Sequence, residues 1–72
     1  LVEDTKELKL SAIATNIKAI KADRYRAEVS LISERALSTG YLEMVSFLEK
    51  EISSYSNQIA GLEAQYASIE SE

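Results

Sequence analysis

An all-α fold, an antiparallel hairpin of two long helices with coiled-coil-like packing, is predicted for this 72-residue chain by three observations. Tyr41, Val45, Leu48, Ile52, Tyr55, Ile59, Leu62, Tyr66 and Ile69 recur at alternating spacings of four and three. Proline is absent and only two glycines occur. The one break in helix-forming sequence is Ser38-Thr39-Gly40, near the middle of the chain. A helix turns once every 3.6 residues, so the heptad spacing collects all these side chains on one narrow stripe. Such a stripe must lie against another helix.

Helix 1 is expected from about residue 4 to 37. Asp4 and Glu7 have capping-box spacing, with Asp in place of Ser or Thr. Along it, Leu10, Ile13, Ile17 and Ile20 form one stripe, and Tyr25, Val29, Ile32 and Ala36 form another. The five-residue step from Ile20 to Tyr25 rotates the second stripe by roughly a quarter turn relative to the first. Two readings follow. Either the face toward helix 2 is broad or its supercoil shifts locally, or the two halves of helix 1 face different neighbours, one inside the hairpin and one outside.

A turn is expected at residues 38–40. Gly40 suits the left-handed conformation that ends a helix, and Ser38 or Thr39 can cap the next one. So short a connection makes the helices antiparallel neighbours. Helix 2 is expected from about 41 to 70, giving rods of roughly 45 to 50 Å at 1.5 Å per residue.

The seam of helix 2 places Val45, Ile52, Ile59 and Tyr66 at a, and Tyr41, Leu48, Tyr55, Leu62 and Ile69 at d. Tyrosine at d is bulky and its hydroxyl needs water or a partner, which suits an antiparallel neighbour or an open edge. A second face is suggested by Met44, Phe47, Ser54, Gly61 and Ser68. Apart from Met44 and Phe47, these residues are small, and small side chains admit another backbone closely. A serine-rich solvated face is the alternative. Gly61 favours a packing role, because a mid-helix glycine costs about 1 kcal/mol relative to alanine. Leu42, Met44 and Phe47 also make the first two turns of helix 2 apolar nearly all round, so the turn end is the expected partner contact. The competing reading folds Leu31 and Leu37 over it.

Size adds a constraint. A domain this small buries a modest fraction of its surface and usually needs a staple. Without cysteine or histidine there is neither a disulfide nor an ordinary zinc site. Assembly with another protein chain, a second copy or a helical partner, is the remaining device. The heptad still runs at Ile69 and the first residue is leucine, so a piece of a longer structural coiled coil is a further expectation.

The net charge is −4, unevenly placed. Residues 1–37 carry seven bases against six acids, whereas residues 38–72 carry Lys50 against six acids. No catalytic constellation is visible, since the usual nucleophile–base pairs need histidine or cysteine. No cofactor is implied, for no glycine-rich phosphate loop exists. The expectation is therefore a non-enzymatic protein. Lys18, Lys21, Arg24 and Arg26 form a basic cluster, but a nucleic-acid reader is normally basic overall, and this chain is acidic. No stretch reaches the roughly 18 apolar residues of a membrane span, and no signal peptide is visible. A cytoplasmic protein is expected.

The segment Ser38-Thr39-Gly40-Tyr41, running into Val45-Ser46-Phe47-Leu48 and Glu51-Ile52, resembles the small helical-hairpin co-chaperones of bacterial type III secretion needle subunits. In both, a glycine-bearing turn precedes an aromatic-rich start of the second helix. The resemblance covers about half of the chain. It implies a bacterial cytoplasmic chaperone or assembly adaptor that shields helical surfaces of a secretion subunit, paired with a larger tetratricopeptide-like chaperone. The alternatives are a self-associating four-helix bundle and a weak nucleic-acid binder acting through the basic part of helix 1.

Overall fold

A computed structural model describes residues 2–37 and 42–72. Two helices, α1 (Val2–Ala36) and α2 (Leu42–Glu70), pack against each other as an antiparallel hairpin. The expected turn at 38–40, with its Ser38, Thr39 and Gly40 caps, and the first seam residue Tyr41 lie outside the described residues. α1 starts at Val2, so the Asp4–Glu7 pair falls in its first turns, where acidic side chains favour the positive end of the helix dipole.

Cross-helix bonds mark the antiparallel register. Lys6 Nζ, near the start of α1, donates to the carbonyl of Glu70 at the end of α2, at 3.0 Å. Arg24 donates to Ser56 Oγ at 3.3 Å in the middle. Arg35, near the end of α1, reaches Glu49 at 2.9 Å. Lys6 thus sets a cation where the last carbonyls of α2 lack intrahelical partners.

The hairpin measures 58 × 14 × 12 Å, with a radius of gyration of 16.6 Å. A compact chain of this length would have about 11 Å. Its accessible surface is 5520 Å², against about 4,500 Å² for a compact protein of the same mass. Two rods side by side have no middle layer. Among the described residues only Ala27, Leu48 and Ile59 are buried.

The seam of α2 is the inner face. Val45, Ile52, Tyr55, Leu62, Tyr66 and Ile69 are half-buried and Leu48 and Ile59 buried, while their neighbours on the outer side are exposed. α1 answers with its own unbroken heptad. Lys6, Leu10, Ile13, Ile17, Ile20, Arg24, Ala27, Leu31 and Glu34 are each half-buried or buried, at spacings of four and three.

Both halves of α1 therefore face α2 through this one heptad, so neither expected reading holds as drawn: the halves share a neighbour, and only the second stripe lies outside the hairpin. Tyr25, Val29, Ile32 and Ala36 are exposed and turn away from α2. The physical reason is the regularity of α2. A quarter-turn rotation midway along α1 would need a matching break in the opposing seam, and none exists. Two features hid the true inner stripe from composition alone. Ala27 is small, and it lines a groove of ≈ 200 Å³ with Leu48 and Tyr55. Arg24 lays its apolar stem in the seam while its guanidinium reaches Ser56.

Candidate protein interaction surfaces

The residues expected to mediate assembly separate into three groups. The described seam residues, Val45 through Ile69, are matched by α1 along their whole length, so this surface holds the hairpin together. The excess apolar surface lies elsewhere, on the outside of α1 and at the start of α2.

At the turn end of α2, Leu42, Met44 and Phe47 are exposed, Leu42 to 85%. Leu37 is exposed as well and does not fold over them. Leu31 is occupied in the inner stripe of α1. Leu42 and Phe47 border a shallow depression of ≈ 400 Å³, together with Glu43, Ser46 and Lys50. Helical geometry explains the arrangement. Val45 and Leu48 take the inner positions, so Met44 and Phe47 lie one residue, or about 100°, to the side of the seam. The depression carries one acid, Glu43, and one base, Lys50, while Glu51 lines the groove beside Ala27 and Leu48.

The small residues Ser54, Gly61 and Ser68 are exposed. A Cβ built on Gly61 would meet nothing within 4 Å. Ser54 Oγ accepts a hydrogen bond from Gln58 Nε2 one turn on, at 3.2 Å. This face makes no close backbone approach to α1.

On the back of α1, Tyr25 and Ile32 are exposed to 67% and 69%, and Val29 to 45%. These positions lie on the far side of α1 from Ala27, which touches the inner groove. The C-terminal half of α1 thus carries Ala27 and Leu31 on its inner face and its larger apolar side chains on the outer one. Their spacing marks them as a stripe in the sequence, but nothing in the sequence separates an outer stripe from an inner one.

The basic cluster does not form a free stripe. Arg24 turns inward to Ser56 and pairs with Glu28 at 3.5 Å. Arg26 pairs with Asp23. Among the described residues no three carboxylates gather where a metal ion could bind, and no helix is long and apolar enough to cross a membrane.

Comparison with protein-family profiles, curated proteins and solved structures finds no match to this chain.

Proposed function

We propose that this chain is a non-enzymatic protein interaction module, a small adaptor or chaperone that shields an apolar helix of a partner with the first turns of α2. One observation supports this reading above the others. Leu42, Met44 and Phe47, with Leu37 at the end of α1, stay exposed although the seam beside them is filled. Three large apolar side chains within six residues of a helix are costly to leave in water, each worth roughly 1.5–3 kcal/mol when fully buried. A partner that covers them recovers that energy. Its chemistry follows from the surroundings. An amphipathic helix brings apolar residues at i, i+3 and i+4, and a basic flank suits Glu43. Holding a secretion-apparatus subunit unpolymerised, as the needle co-chaperones do, is one instance of this role, because filament subunits also present adhesive helices.

The test uses a labelled amphipathic helix of leucine, alanine and lysine, titrated by fluorescence anisotropy. Phe47→Asp should weaken its binding at least about tenfold, a loss of ~1.4 kcal/mol or more, with the circular dichroism of the hairpin unchanged. Binding that survives both Phe47→Asp and Met44→Asp would remove this reading.

A further inference from the structure

We propose that the outer stripe of α1 is a self-recognition surface, on which Tyr25, Val29, Ile32 and Ala36 pair antiparallel with the same residues of a second copy. The surface is distinct from the Leu42–Phe47 patch, so the inference goes beyond the adaptor reading and does not depend on it.

The stripe has the spacing of a coiled-coil seam: four, three, four. A two-fold interface must be self-complementary, so the stripe has to match itself. In one antiparallel register Tyr25 faces the second copy's Ala36, Val29 faces its Ile32, and the two remaining layers repeat these by symmetry. The largest side chain then meets the smallest at both ends, with two β-branched layers between them. Large-against-small pairing of this kind fills a helix–helix interface without voids.

Charges select the same register. Glu28 and Arg35 are seven residues apart and share one flank of the stripe. The pairing sets each Glu28 beside the second copy's Arg35, twice by symmetry. Within the hairpin Glu28 also meets Arg24 at 3.5 Å and Arg35 meets Glu49 at 2.9 Å. A guanidinium carries five donors, so Arg35 can serve both carboxylates. Sliding one heptad in one direction opposes Glu28 with Glu28 and Lys21 with Arg35. Sliding one heptad in the other opposes Arg35 with Arg35. A parallel arrangement sets Lys21 beside Arg26 and stacks Tyr25 on Tyr25. Each of these alternatives carries a like-charge contact, and the proposed register carries none on its charged flank.

The overlap involves only the last three turns of α1. The hairpins therefore meet near their turn ends, with their bodies pointing apart. At 1.5 Å per residue from the symmetry point near Ser30 and Leu31, the assembly is about 90 Å long, against 58 Å for one hairpin. Four residues from each copy make a small interface, below the ~1,200 Å² of a standard one, so the dimer is expected to be reversible and its population to rise with concentration.

Sedimentation equilibrium from about 5 µM to 1 mM, with small-angle scattering at the upper end, tests this. The expected result is a reversible dimer about 90 Å long. Ile32→Asp should leave a monomer of unchanged helicity, because Ile32 lies outside the hairpin seam. At low salt Glu28→Arg should raise the dimer Kd by about tenfold, through two flanking attractions turned into repulsions. Adding Arg35→Glu to that variant, with Glu49→Arg to keep the contact to α2, should bring the Kd back toward the wild-type value. A monomer throughout the range, a dimer of about 60 Å with the hairpins side by side, or a dimer indifferent to Ile32→Asp would each overturn the proposal. Phe47→Asp should leave the dimer intact, and Ile32→Asp should leave binding of the amphipathic helix intact. The two readings can therefore fail separately.

Discussion

Ile59 is the most buried side chain described, at 3% exposure, and it stands at an a position of the seam. Truncation there leaves a cavity that two straight rods cannot close. Ile59→Ala should cost about 3 kcal/mol, seen as a lower urea midpoint with an unchanged slope. Gly61, two residues on, gives the opposite expectation. A Cβ at this position meets open space. Gly61→Ala should therefore stabilise the hairpin by about 0.5–1 kcal/mol, through the lost backbone freedom of the unfolded chain, and raise the melting temperature by several degrees. A melting temperature lowered by this change would mean that a neighbour approaches Gly61 closely after all.

At the scale of the element, each helix is held by a stripe and not by its own propensity. Isolated helices are marginal in water, and most helical stability comes from packing an apolar face. Ile52→Asp places a carboxylate in the seam between Leu48 and Tyr55. Leaving that charge unpaired costs several kcal/mol, comparable with the whole stability of a small domain. The variant should lose most of its helical circular dichroism, whereas Ile32→Asp should keep it. The contrast separates the inner stripe from the outer one. It also bears on what could be read without coordinates. The stripe of α2 was legible because every member is large and apolar. The stripe of α1 was legible only from Leu10 to Ile20. Beyond that, the larger apolar residues Tyr25, Val29 and Ile32 stand on the outer face, while the inner positions hold Arg24, Ala27, Leu31 and Glu34.

For the whole molecule, length and thinness decide the energetics. A two-rod hairpin leaves more surface in water than a compact domain, and few side chains are fully enclosed. Association that covers the outside of α1 should therefore add to stability by mass action. The melting temperature should rise with protein concentration, by a few degrees per tenfold near the dimer Kd, and Ile32→Asp should abolish that dependence. A melting temperature independent of concentration in the native chain would show that one hairpin suffices for its own stability.

The heptad of α2, the absence of proline and the single interruption near Gly40 were enough to specify two helices, because periodicity and chain breakers act locally and survive in the linear order of residues. Which face of α1 closes the hairpin is not a local property. In the C-terminal half the larger apolar side chains lie on the outer face, and it is the opposing seam of α2, through Leu48 and Tyr55 against Ala27, that takes the inner one. The location of the unpaired apolar surface follows from that choice. The residues left exposed are those remaining after two regular stripes have met, and that remainder exists only once the helices are side by side.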